Sequence, residues 1–239
     1  MRIDFNSDLA EGLGVENDIM PIISSANISC ALHAGSVNDT YNALLLAKKY
    51  GVRVGAHPSF DDRLNFGRTN VNLNLDDLKA LLFYQLGAFK QLCDLVGVKM
   101  SYVKPHGALY NMACVDYDLA KNIVKIVKSF DSSLLLMGLS NSNLIKACDD
   151  YGLGSISEVF ADRRYQDNGM LVPRTQQNAL IVDEDEAILQ VINMVKHSYV
   201  ISENNNKIYI KAESICIHGD GEKALEFAKK IKLVLNLQE

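Results

Sequence analysis

Residues 102–107 read Tyr102-Val103-Lys104-Pro105-His106-Gly107, a short apolar run that leads into a proline, a histidine and a glycine. Three other histidines have a similar setting, in Ser29-Cys30-Ala31-Leu32-His33-Ala34-Gly35, Val52-Arg53-Val54-Gly55-Ala56-His57-Pro58 and Ile215-Cys216-Ile217-His218-Gly219-Asp220. An apolar run that ends in glycine or proline is typical of a buried strand that meets its loop. In a barrel of parallel strands these ends open on one face, where active sites are built. The pattern therefore predicts an enzyme.

Strand-like and helix-like segments alternate along the whole chain. Helical segments show apolar residues at three- and four-residue spacing, as at Leu78, Leu82 and Leu86. The predicted strands cover residues 2–5, 27–32, 53–55, 101–104, 134–137, 157–160 and 214–217. Seven strand–helix units without a linker favour one α/β domain over residues 1–239, either a β/α barrel or an open doubly wound sheet. Polar motifs follow almost every strand, which favours the barrel.

A helix cap, a hairpin and two long loops complete the predicted organisation. Asn74 stands before an acidic turn and is typical of the residue that caps a helix. Residues 199–210 predict a β-hairpin around the polar turn 203–206. Residues 58–72 and 161–178 are long polar segments of the kind that forms binding loops.

The composition excludes several classes of protein. A formal net charge of -5 argues against nucleic acid as the main partner, because phosphate backbones require clustered positive charge. Five cysteines without a C-x-x-C pair are typical of reduced thiols, so we expect a cytoplasmic protein. No apolar stretch approaches the length needed to span a membrane.

The candidate site residues are histidines, carboxylates and cations near the strand ends. Asp8 and Glu11 follow the first strand, where carboxylates can bind a metal, act as a base or simply cap the next turn. The histidines can bind a metal, shuttle protons or bind phosphate. Asp8 with two of His33, His57 and His106 would satisfy a zinc-like ion, although no local metal motif such as H-E-x-x-H is present.

The cations near the strand ends also allow two interpretations. Lys104, Arg68, Arg163 and Arg174 suit carboxylate or phosphate groups, or they form ion pairs with nearby aspartates such as Asp162. The usual nucleotide motifs are absent, and a phosphate site at 218–221 is opposed by the charge of Asp220.

Taken together, the motifs resemble the LamB/YcsF family, which is the family of 5-oxoprolinase A subunits. The resemblance extends from Asp4 to about Leu235. It is carried by Asn6-Ser7-Asp8, Glu11, Gly14, Ser25-Ala26-Asn27-Ile28, Cys30, His33-Ala34-Gly35, Gly55-Ala56-His57-Pro58, Phe66-Gly67-Arg68, Val103 to Asn111, Glu158 to Arg163, Gly169, Leu171-Val172-Pro173-Arg174, Cys216 and His218-Gly219-Asp220. The chain departs from the family pattern at Ala10, Ala31-Leu32 and Ser36, which affects the second loop.

The resemblance implies a seven-unit β/α barrel related to glycoside hydrolases and polysaccharide deacetylases. It also implies ATP-dependent opening of 5-oxoproline to glutamate, together with partner subunits B and C. On this basis we assign catalysis to Asp8, His57, Lys104, His106 and Asp162. Binding of substrate or phosphate is assigned to Asn6, Glu11, His33, Arg68, Tyr110, Asn111, Arg163, Arg174, His218 and Asp220, and the metal candidates are Asp8, His33, His57 and His106.

Two other functions remain open at this point. A metal-dependent amide or ester hydrolase could work alone, as the deacetylase-like fold suggests by analogy. Alternatively, the chain could be a non-catalytic subunit that binds substrate or positions its partners.

Overall fold

The computed structural model describes residues 3–217 and 224–236. Within these ranges the strands are β1 (Asp4–Leu9), β2 (Ser25–Ser29), β3 (Arg53–His57), β4 (Met100–Val103), β5 (Leu135–Leu139), β6 (Ser155–Phe160), β7 (Tyr199–Ile201), β8 (Lys207–Tyr209) and β9 (Ser214–Cys216). The helices are α1 (Glu16–Ile19), α2 (Val37–Tyr50), α3 (Leu75–Val96), α4 (Gly107–Val115), α5 (Tyr117–Phe130), α6 (Asn143–Tyr151), α7 (Glu184–His197) and α8 (Ala224–Asn236). A 3-10 turn at Arg63–Asn65 interrupts the loop after β3.

Seven parallel strands close into a barrel in the order β1-β2-β3-β4-β5-β6-β9. The predicted barrel is confirmed, and the open sheet is excluded because β1 pairs with β9. β7 and β8 form the predicted antiparallel hairpin outside the barrel. The carboxyl ends of the barrel strands define one rim, called the mouth below.

The first strand is longer than the sequence pattern indicates. The pattern predicts a strand over residues 2–5 with Asp8 after its end, but β1 continues to Leu9. Asp4, Asn6 and Asp8 alternate along it and bond to polar groups of the neighbouring strands β2 and β9. Alternate residues of a barrel strand point inward, so this barrel has a polar interior.

Helices cover the outside of the barrel with apolar side chains. Leu44 of α2, Leu86 and Phe89 of α3, and Ile123 of α5 are almost completely buried. The predicted cap at Asn74 is confirmed, since its side chain accepts a hydrogen bond from the Asp77 backbone at 2.9 Å. None of the helices in the described ranges is both long and apolar enough to cross a membrane.

Candidate active site

Three of the four predicted histidines meet at the mouth. His57 ends β3, His33 follows β2, and His106 follows β4 at the start of α4. The rings of His33 and His106 stack with centroids 3.7 Å apart, and the His57 ring lies 4.8 Å from that of His106. His218 and Asp220 lie outside the described residues, so their assignment stays a prediction.

Hydrogen bonds to the backbone fix the protons of His57 and His106. His57 Nδ1 lies 2.7 Å from the Lys104 carbonyl oxygen, and His106 Nε2 lies 2.9 Å from that of Phe66. A carbonyl oxygen only accepts, so both nitrogens carry a proton. A neutral His106 then accepts at Nδ1, which is 3.0 Å from His57 Nε2. This contact makes His57 the protonated donor.

The charges around the two rings agree with that assignment. Burial opposes the His57 imidazolium, but the carboxylate of Asp8, 3.4 Å from Nε2, raises the pKa of His57 above its usual value. Burial, and then the charge of His57, lowers the pKa of His106 to about 3. His57 is therefore the cation of the pair, and His106 is neutral.

Glu11 joins the histidines over the mouth. Its Oε1 lies 2.9 Å from His33 Nε2 and 3.4 Å from His106 Nδ1. Burial, and then the charge of Asp8, raises the pKa of Glu11, while burial lowers the pKa of His33 to about 3. One ligand atom from each of Glu11, His33, His57 and His106 lies within 4.8 Å of the others. The structure thus groups Glu11 with all three histidines, while Asp8 contacts His57 at 3.4 Å.

Lys104 lies below this cluster, between two carboxylates. Its Nζ is 2.9 Å from Asp8 Oδ1 and 2.7 Å from Glu158 Oε1, and it is almost completely buried. Burial disfavours the ammonium, but Asp8 and Glu158 act together with their negative charges to raise the pKa of Lys104 well above its usual value. Cys216 Sγ lies 3.4 Å from the same nitrogen. Lys104 is therefore a permanent cation in the barrel interior.

Asn27 holds Asp8 from the other side. Its amide nitrogen donates to Asp8 Oδ1 and to Asn6 Oδ1, each at 2.7 Å, and its amide oxygen accepts from the Tyr102 hydroxyl at 2.6 Å. Sequence reasoning did not single out Asn27, Tyr102 or Glu158 as site residues. The one available signal was their position in a strand, because side chains alternate in direction and every second residue faces the barrel interior.

The loop after β6 contributes cations to another part of the mouth. Arg163 is buried, and its Nε and Nη2 donate to the carbonyl oxygens of Ala179 and Val172. Asp162 is half-buried and Arg174 is exposed in the same loop. Arg68 lies with its guanidinium 5.1 Å from the Phe66 ring, and Phe66 packs edge-on against His33 and His106.

The remaining predicted residues differ in their surroundings. Tyr110 is buried and its hydroxyl donates to Glu158 Oε2 at 2.7 Å, so it supports the partner of Lys104. Asn6 is fully buried and donates to Ser214 Oγ at 2.7 Å. Asn111 is exposed on α4. The structure thus brings three of the predicted histidines together with Asp8, Glu11 and Lys104, while Asn6 lies on β1 and Tyr110 on α4.

Comparison with known proteins places this geometry in a family context. The model of the LamB/YcsF family matches residues 3–239. The A subunit of 5-oxoprolinase from Histophilus somni (strain 129Pt) is 55% identical, covering 97% of this chain and 94% of its own length. That of Staphylococcus aureus (strain Newman) is 47% identical, over 98% of this chain and 96% of its length. The crystal structure of a lactam utilization protein from Thermus thermophilus superposes with a TM-score of 0.91 at 34% identity, covering 100% of this chain and 97% of that one.

Proposed function

The chain belongs to the LamB/YcsF family, and from this premise we propose that it is the A subunit of an ATP-dependent 5-oxoprolinase. The complete reaction converts 5-oxoproline, ATP and two water molecules into glutamate, ADP and phosphate. Partner subunits B and C complete the enzyme. The observation that carries the proposal is the convergence of His33, His57 and His106 with Glu11 and Asp8 at one mouth.

The chemistry of the substrate explains why ATP is required. An unstrained amide resists water, and phosphorylation of the lactam oxygen makes the ring carbon more electrophilic. Asp8 and the His57–His106 pair are placed to move the protons of the attacking water and of the departing ring nitrogen. Lys104 provides a fixed positive charge beside Asp8, where negative charge develops on substrate or phosphate oxygens.

The four-residue cluster fits a divalent metal ion such as zinc. The backbone bond of His106 Nε2 leaves Nδ1 with the lone pair a metal requires, and the backbone bond of His57 Nδ1 leaves Nε2 as the atom that would lose its proton when a metal binds. His33 Nδ1 is buried and has no hydrogen-bond partner in the described part of the chain. We propose Glu11, His33, His57 and His106 as the ligands. A metal bound there supplies Lewis-acid polarisation of a carbonyl or phosphoryl oxygen.

The same cluster supports one second candidate function, that of a metal-dependent amide hydrolase working alone. The two functions differ in their requirement for ATP and for partner chains. The test is glutamate formation from 5-oxoproline with purified chain, with and without ATP and the two partner subunits. We expect glutamate only when all components are present, and ring opening by the chain alone without ATP would favour the second candidate.

Two variants test the residues in that assay. Asp8→Ala and His106→Ala should each abolish turnover in the complete mixture, while circular dichroism shows a folded protein. His197→Ala is the matched control, because His197 is exposed at the end of α7. Full activity of both site variants would remove this assignment. Full activity of a mixture that lacks only this chain would identify it as non-catalytic.

A further inference from the structure

Arg163 is a buried cation across the barrel from the histidines. It follows β6, and β6 lies opposite β2 and β3 in the closed strand order. Only 6% of Arg163 is exposed. Its Nε lies 3.3 Å from the Ala179 carbonyl oxygen and its Nη2 lies 2.6 Å from that of Val172. These neutral acceptors fix the plane of the guanidinium without cancelling its charge.

The buried Lys104 and the neighbouring Arg164 each have a carboxylate partner. Lys104 pairs with Asp8 and Glu158, and Arg164, the next residue after Arg163, pairs with Glu186. Arg163 forms no ion pair within 3–217 and 224–236, and its Nη1 makes no hydrogen bond there. A buried charge of this kind is costly unless an anion compensates it.

The electrostatic surroundings of Arg163 favour binding of an anion. Burial, and then the neighbouring charge of Arg174, lowers the pKa of Arg163 to about 10, although Asp162 opposes the shift. The positive charges of Arg163 and Arg174 are thus opposed by one carboxylate, that of Asp162. Ala161, two residues before Arg163, donates to the Cys216 carbonyl oxygen at 3.4 Å, and Cys216 Sγ lies 3.4 Å from Lys104 Nζ, so the loop that carries Arg163 begins beside the Asp8–Lys104 pair.

We propose that Arg163 binds the carboxylate of a small acid substrate through Nη1 and thereby distinguishes acids from neutral lactams. This inference rests on the proposed function and assigns one of its candidate cations to one group of the substrate. A charged hydrogen bond in a buried site is expected to contribute roughly 10- to 100-fold in affinity.

The experiment measures binding of two ligands to the full-length chain by calorimetry. The ligands are 5-oxoproline and 2-pyrrolidinone, which has the same ring without the carboxylate. Arg163→Met is compared with Arg164→Met, the matched control in the same loop. We expect wild type and Arg164→Met to prefer 5-oxoproline. Arg163→Met should bind 5-oxoproline about 10- to 100-fold more weakly, with 2-pyrrolidinone unchanged.

Because Arg163 also supports the loop, a structural role must be separated from a binding role. Arg163→Lys keeps the charge and should retain part of the preference for the acid. The Tm of each variant measures whether the substitution has destabilised the loop. The proposal is overturned if Arg163→Met loses affinity for 5-oxoproline and 2-pyrrolidinone equally, or if its preference for the acid is unchanged.

A third ligand separates this inference from the proposed function. Glutarate is a small acid without a lactam ring. Binding of glutarate that depends on Arg163, without binding of 5-oxoproline, would support the carboxylate site and reject the proposed substrate. If the complete enzyme turns over 5-oxoproline but Arg163→Met keeps the wild-type preference for the acid, the result supports the proposed substrate and rejects the carboxylate site. Failure of the chain to bind any of these acids at millimolar concentration rejects the site itself.

Discussion

Replacing Gly35 by alanine should destabilise the protein and displace Glu11 from the histidines. Gly35 has a φ of +67°, and a Cβ there would lie 1.9 Å from the Ala10 carbonyl oxygen and 3.4 Å from the Glu11 Cα. Gly51, at the end of α2, has the same φ of +67° and no atom within 4 Å of such a Cβ. Gly51→Ala is therefore a matched control that has the backbone strain without the collision.

The expected loss in free energy of unfolding differs between the two variants by an amount that can be worked out. A left-handed conformation costs a non-glycine residue about 1–2 kcal/mol, which is reduced because alanine also restricts the unfolded chain. We expect Gly51→Ala to cost about 1 kcal/mol on this basis. At Gly35 the Cβ would lie only 1.9 Å from a backbone oxygen, far inside ordinary van der Waals contact, so the loop after β1 must move. Overpacking of this kind adds about 1–3 kcal/mol, which gives a total of about 3 kcal/mol.

Denaturant unfolding, followed by circular dichroism, measures both free energies, and thermal unfolding measures Tm. For a domain of this size, Tm should fall by about 2 °C in Gly51→Ala and by about 6 °C in Gly35→Ala. The moved loop carries Glu11, so Gly35→Ala should also weaken binding of zinc while Gly51→Ala does not. A Gly35→Ala protein as stable as Gly51→Ala would refute the close approach of the two loops.

Further predictions concern the metal, the pH dependence and a helix end. His106→Ala should weaken zinc binding at least about tenfold by calorimetry, whereas the exposed His197→Ala should not. Burial alone would raise the pKa of Glu213, but its bonds with Lys211 and with the Ser157 backbone together lower it below the usual value. The stabilisation from Glu213 is therefore present at neutral pH and lost as pH falls through the lowered pKa, so Glu213→Gln should reduce Tm at pH 7 and have a smaller effect in strong acid. Asn74→Ala should lower the free energy of unfolding by about 1 kcal/mol, because it removes the cap of α3.

The barrel and the meeting of the histidines could be predicted because both depend on local patterns. Each of His33, His57 and His106 follows a short apolar run at a glycine or proline, and parallel strands bring such ends to one rim. The cap at Asn74 and the hairpin at β7–β8 were predictable for the same reason, since turn and cap residues act over a few positions.

The position of Glu11 among all three histidines could not be predicted. It depends on the turn after β1, where Ala10 has a φ of +60° and directs Glu11 over His33. Alanine rarely adopts that conformation, so the sequence indicates neither the turn nor its consequence. Asp8 remains inside the strand, where Lys104 and Asn27 hold one of its oxygens.

The polar interior of the barrel is an argument for function in its own right. Branched apolar residues usually fill a β/α barrel, yet here Asp8, Lys104 and Glu158 occupy the interior with almost no exposure of the lysine. Removing charges from water costs several kcal/mol per ion, and an apolar set of the same volume is often at least as stable. The ion pairs are therefore a poor device for stability alone. They do hold a carboxylate and a cation rigidly below a histidine cluster, which is the preorganisation that charge stabilisation in a transition state requires.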